Sequence, residues 1–117
     1  NGRRKEIAAR YDRMLSSSGI ELPFVPEYAD PVWHLYVVRS RNRDALRAHL
    51  ERMRIATVIH YPIPPHRQAC YQAFAGAHLP LADQLAGEVI SLPMSPVLGD
   101  DEVDQVVSAL LSFDGAA

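Results

Sequence analysis

The sequence predicts an α/β (α+β) sandwich, a small three-stranded sheet with helices packed on it. Three observations predict it. Three short runs, 32–38, 55–59 and 89–92, are rich in β-branched or aromatic residues and abut polar or proline-containing stretches. Around them lie segments whose apolar residues recur at helical spacing, so the order is helix, strand, helix, strand, helix, strand, helix. The chain has 117 residues, 48% hydrophobic and 22% charged, which is enough for one domain with a real core and is ordinary for a globular protein.

Residues 2–15 read as the first helix, because Ile7, Tyr11 and Met14 or Leu15 form one apolar stripe. Glu6 and Arg10 stand four apart as a favourable pair. Ser16-Ser17-Ser18-Gly19 ends the helix, and 20–31, with Pro23, Pro26 and Pro31, reads as an extended linker. A helix followed by a proline-rich linker suggests an inter-domain connection, so residues 1–19 are assigned to a connecting helix, 20–31 to the linker and 32–117 to the domain.

In the first strand Trp33, Leu35 and Val37 share one face, purely apolar, that is expected to meet the core. Val32, His34, Tyr36 and Val38 share the other. His34 and Tyr36 either make internal hydrogen bonds there or meet a ligand. Ser40 is placed to cap a helix over roughly 41–53. Leu46, Leu50 and Met53 form its inner stripe, and Arg43, Arg47, Glu51 and Arg52 its wet face. Residues 67–74 suggest a short helical turn. Pro80 opens the next helix, with Leu81 and Leu85 inward and Gly87 at its stop. Pro93 ends the third strand. Asp100, Asp101 and Glu102 load the start of the last helix favourably against its dipole, and Val103, Val106, Val107 and Leu110 line its buried face.

The stretch Ile59 to Tyr71, IHYPIPPHRQACY, stands apart. Pro62, Pro64 and Pro65 fix φ and remove backbone donors, so it is a stiff, extended loop leaving a strand end, fit to present His60, Tyr61, His66 and Gln68. An imidazole and a phenol suit recognition of a hydroxyl-rich ligand such as a sugar; anchoring the loop to its own domain is the equal alternative.

Other chemistries find less support. His60 and His66 lie across prolines, with no compact metal-ligand spacing and no second Cys. Cys70 is the one cysteine; it carries no nucleophile signature and allows no internal disulfide, which suits the cytosol. There is no phosphate-cradling glycine loop. A net charge of −2 gives no general case for nucleic acid or an anionic membrane, and no apolar run reaches membrane-helix length. Lys5 is the one lysine, against eleven arginines, so chemistry that needs a buried lysine must use Lys5 or obtain it elsewhere.

His60-Tyr61-Pro62-Ile63-Pro64-Pro65-His66-Arg67-Gln68-Ala69-Cys70-Tyr71 resembles a pattern, H-Y-P-x-P-L-H-x-Q-x-x-Y, of the small C-terminal domain of the DegT/DnrJ/StrS-type sugar aminotransferases, with Pro65 in place of the usual leucine. RKEIAARY at 4–11 resembles the family's helix leaving the large domain, and His34-Leu35-Tyr36-Val37-Val38-Arg39 its first small-domain strand. Leu79-Pro80, Ser91-Leu92-Pro93-Met94 and Glu102-Val103 resemble later markers in the right order. The resemblance implies the small domain of a fold-type I, pyridoxal-phosphate-dependent transferase. It also implies a parent enzyme that moves an amino group from glutamate or glutamine to a keto-sugar, nucleotide-linked, or to a keto-cyclitol. The lysine that binds the cofactor, the aspartate on its ring nitrogen and a large N-terminal domain would lie upstream. This chain would then hold no catalytic or cofactor-binding residue and would be inactive alone, the parent being a cytoplasmic homodimer. His60 and Tyr61 would touch the sugar, with His34 and Tyr36 as second candidates. The rival expectation is a stand-alone binding or interaction domain that pairs through an edge strand at 30–39.

Overall fold

The computed structural model describes residues 1–74, 76 and 78–115, apart from the side chains of Tyr71 and Phe74. Helix α1 (Gly2–Leu15) buries Ile7, Ala8, Tyr11 and Leu15, the stripe its periodicity requires, and packs on α4 (Asp100–Leu111). From α4, Val103, Val106, Val107, Ala109 and Leu110 are buried against it. Arg10 locks the pair, its Nε and Nη2 donating to the two carboxylate oxygens of Asp104 at 2.8 and 2.9 Å. Arg10 therefore pairs across helices, while Glu6 accepts from Arg3 instead. The expected connecting helix is thus part of the same core as the rest of the domain.

Strands β1 (Tyr36–Arg39) and β2 (Val89–Leu92) pair antiparallel, with Tyr36 opposite Leu92 and Arg39 opposite Val89. Glu21 bridges the outer side of β1 at Arg39, and Val58 bridges the outer side of β2 at Ser91. The expected third strand at 55–59 therefore lies beside β2 but contributes one bridge. Its partner is only four residues long and runs into Pro93, which has no donor to extend the ladder. The linker is likewise tied down where it begins: Glu21 and Arg39 exchange both backbone bonds, at 3.1 and 2.9 Å.

Trp33 packs against the core as expected, but past it the two faces of the strand are opposite to expectation. Tyr36 and Val38 are the core side of β1, whereas Leu35 is exposed and Val37 half-buried. Trp33 takes a left-handed φ of 57°, which breaks the extended run before β1 and with it the alternation counted from Val32. Tyr36 lies between Tyr11 and Trp33, with ring centroids 4.9 and 5.3 Å away, and donates its hydroxyl to Asp12 Oδ1 at 2.5 Å. Burial, then the Asp12 carboxylate, push its phenol well above the usual range.

Helix α2 (Arg43–Arg52) buries Leu46 and Leu50, but Met53 lies beyond its end and is exposed. Arg43, expected on the wet face, is 8% exposed. Its Nη1 donates to the carbonyls of Ala86 and Val89, both at 3.0 Å, at the junction of α3 (Pro80–Glu88) and β2. The guanidinium thereby satisfies acceptors left free where a helix gives way to a strand. Ser40 does not cap α2; its Oγ accepts from the Asn42 N–H at 3.2 Å and shapes the preceding turn. At the other end Arg54, with φ 62°, donates to Glu51 O and Ile55 donates to Leu50 O, a Schellman closure with buried Ile55 beside Leu50. In α3 Leu81 is exposed and Ala86 is the buried residue; the helix runs through Gly87 to Glu88.

Candidate substrate-contact loop

The proline loop is held at three points. At its root, Val58 and Ser91 exchange backbone bonds at 3.3 and 2.7 Å. One step on, His60 Nδ1 lies 2.9 Å from Ser91 Oγ. Pro64 is buried, and Pro65 opens a 3-10 turn, Pro65–Arg67, followed by a second, Ala69–Phe74. Proline suits the first position of such a turn because no partner is needed there for its missing N–H.

The third anchor is Asp83 on α3. Arg67 donates to both of its oxygens, Nε to Oδ1 at 2.5 Å and Nη2 to Oδ2 at 3.0 Å. His66 Nε2 stands 3.1 Å from Asp83 Oδ1, and neither ring nitrogen has a hydrogen-bond partner among the described residues. Hydrogen bonding from Arg67 holds the Asp83 carboxyl below the usual carboxylate range.

These anchors sort the side chains the loop was expected to present. His66 is 4% exposed and turned inward. Gln68 is half-buried and donates to Ile63 O at 3.2 Å, closing the loop on itself. Tyr61 remains on display, and His60, half-buried, lines the hollows beside the loop. Tyr61 is 70% exposed, and its ring meets His60 edge-on at a centroid distance of 5.4 Å, so the two rings are neighbours. The His60–Tyr61 peptide bond is cis.

Two hollows flank the pair. One of about 240 Å³ is lined by His60, Tyr61, Ile63, Gln68 and Leu85 among others. The second, about 190 Å³, has His34, Thr57, His60, Ser91 and Met94 in its wall. His60 belongs to both. His34 is therefore brought to the same site as His60, whereas Tyr36 is not; its hydroxyl is spent on Asp12. Sequence reasoning missed Thr57 and Ser91. Thr57 Oγ1 is buried without a partner among the described residues, beside the second hollow. Neither residue type in a β-run signals such a role; the bridge to β2 creates it.

The cofactor implied by the resemblance can be tested against this chain's own lysine. Lys5 Nζ lies 2.7 Å from Asp30 Oδ2, and its side chain is 46% exposed. An ammonium paired with a carboxylate at the surface is the opposite of the desolvated amine such a cofactor requires. Lys5 does not fit that role. Among the described residues no three of His, Cys, Asp and Glu are grouped as metal ligands, and no helix is long and apolar enough to cross a membrane.

Comparison with known proteins gives a consistent result. The model of the DegT/DnrJ/EryC1/StrS aminotransferase family matches residues 1–111. The chain is 44% identical, over 94% of its own length and 30% of the relative's, to a dTDP-3-amino-3,6-dideoxy-alpha-D-galactopyranose transaminase of Aneurinibacillus thermoaerophilus. It is 42% identical to a dTDP-3-amino-3,4,6-trideoxy-alpha-D-glucose transaminase of Streptomyces venezuelae, again over 94% of this chain. Among solved structures, S. venezuelae DesV in complex with a ketimine intermediate superposes with a TM-score of 0.90 at 42% identity, over 94% of this chain and 30% of that one. Bacillus subtilis ntda with bound cofactor pmp superposes at 0.80 and 30% identity, over 92% and 27%. The chain thus spans about 30% of the length of these curated relatives.

Proposed function

Because the chain belongs to the DegT/DnrJ/EryC1/StrS aminotransferase family, we propose that it is the C-terminal small domain of a pyridoxal-phosphate-dependent aminotransferase acting on a keto-sugar, nucleotide-linked or cyclitol, with glutamate or glutamine as amino donor. The observation that carries this reading is the placement of His60 and Tyr61, side by side, on a loop fixed to β2 and α3. An imidazole and a phenol held this way give a sugar two polar contacts and one flat ring at little cost in side-chain entropy. His34 enlarges the polar wall behind His60.

In this reading the domain closes one side of the active site and excludes water from it. The cofactor supplies the amino-transfer chemistry, and the residues that hold it lie in a large domain outside this chain; Lys5 does not serve. Helix α1 leaves that large domain and packs into the small one, and the proline-rich residues 20–31 join α1 to β1 within it. Phe24, Tyr28 and Val32 are exposed large side chains on and just after this linker, which supports its lying against further protein. The parent is a cytoplasmic homodimer, and the 117-residue chain alone is inactive.

The test is the longer polypeptide from the same gene. Borohydride reduction followed by peptide mapping is expected to trap cofactor on a lysine outside this chain. Cofactor trapped on Lys5, or none trapped at all, overturns the proposal.

A further inference from the structure

Ser91 sits on β2 between two core residues, Ile90 and Leu92, with its side chain on the opposite face, under the proline loop. It is 5% exposed. Its N–H and C=O are both bonded to Val58, and it stands opposite Val37 in the register of β1, so its hydroxyl has a set position. That hydroxyl has one partner among the described residues, His60 Nδ1, at 2.9 Å.

The pairing has only two neutral arrangements. In one, Nδ1–H donates to Ser91 Oγ, and the hydroxyl hydrogen finds no acceptor among the described residues. In the other, the hydroxyl donates to an unprotonated Nδ1, and both groups are satisfied. Buried polar groups that lack partners are costly, so the second arrangement is preferred. The imidazole proton is then on Nε2, on the side of the ring turned away from Ser91.

We infer that Ser91 is a positioning residue that holds His60 in its Nε2–H tautomer, so that the neutral ring presents a hydrogen-bond donor to an oxygen of the keto-sugar. The donor's use rests on the proposed substrate contact of His60; the tautomer does not. A donor at this point selects a ligand with an acceptor, a carbonyl or hydroxyl oxygen, over one that offers only N–H groups.

The tautomer is read from long-range proton–nitrogen spectra of the 117-residue chain labelled with 15N-histidine, taken at a pH where His60 is neutral. His60 is expected as Nε2–H. Ser91→Ala, which leaves the backbone bonds to Val58 in place, shifts the tautomer ratio toward Nδ1–H by about fivefold, the worth of one hydrogen bond. Ser91→Thr, which keeps the hydroxyl, restores it. A neutral His60 with its proton on Nδ1, or an Ala variant with an unchanged ratio, overturns the inference. In the longer polypeptide, Ser91→Ala is expected to raise KM for the keto-sugar about fivefold with kcat little altered. A shifted tautomer with an unmoved KM refutes the substrate contact of His60 and leaves the hold of Ser91 on the ring intact.

Discussion

Arg67 and Asp83 form a two-point ion pair, Nε to Oδ1 at 2.5 Å and Nη2 to Oδ2 at 3.0 Å, that ties the far end of the proline loop to α3. A two-point pair fixes direction as well as distance, so it orients the turn that begins at Pro65. The folded-state carboxyl of Asp83 is held below its unfolded value. Its contribution is therefore present above the ordinary carboxylate range and is lost as pH falls through the lowered value. Protection of the Arg67 and Gln68 amides, measured against their intrinsic exchange rates, is expected to be full at neutral pH and to decline as pH falls from the ordinary carboxylate range through the lowered value. Asp83→Asn should quicken the same amides at neutral pH while leaving those of α1 and α4 unchanged. Equal exchange in the variant would contradict an anchoring role.

Arg54 takes a left-handed φ of 62° to close the Schellman turn after α2, and its side chain is exposed. Glycine adopts that conformation without the Cβ penalty, about 1 kcal/mol here. Arg54→Gly is expected to raise unfolding free energy by about that amount in urea titration. A loss of stability would show that the arginine side chain makes a contribution beyond its backbone.

Arg43 is the buried cation that joins α2 to the α3–β2 junction. Arg43→Ala removes two charge-assisted bonds and leaves the carbonyls of Ala86 and Val89 without them, at a cost of about 3 kcal/mol. The same denaturant titration measures it. A change under about 0.5 kcal/mol, the size of a surface substitution, would return Arg43 to the wet face.

Tyr36→Phe separates structure from recognition. It deletes the bond to Asp12 and should cost about 1–2 kcal/mol of stability while leaving sugar kinetics in the longer polypeptide unaltered. A specific rise in KM for the sugar with stability unchanged would reverse that assignment.

Elements with a sustained period were legible in the sequence. The stripe of Ile7, Tyr11 and Leu15, and that of Val103, Val106, Val107 and Leu110, mark α1 and α4 because each buries a whole helical face. Val89–Leu92 was equally plain. Parity in β1 was not, because it depends on where the strand begins, and Trp33 at φ 57° resets that count. Arg43 was hidden because burial of a guanidinium depends on carbonyls contributed by a distant junction. In the loop, the prolines and the pair His60–Tyr61 could be read directly. The inward turn of His66 could not, since its neighbour Asp83 is on another element. Ser91 and Thr57 were invisible for the same reason.

In the proposed function His60 touches the sugar while the cofactor is held elsewhere. That contact is tested most directly by His60→Ala in the longer polypeptide, with the two half-reactions followed separately. Loss of one hydrogen bond predicts a fall of about five- to tenfold in kcat/KM for the keto-sugar, with cofactor binding and the amino-donor half-reaction unchanged. Unchanged sugar kinetics, or equal loss in both halves, would contradict it.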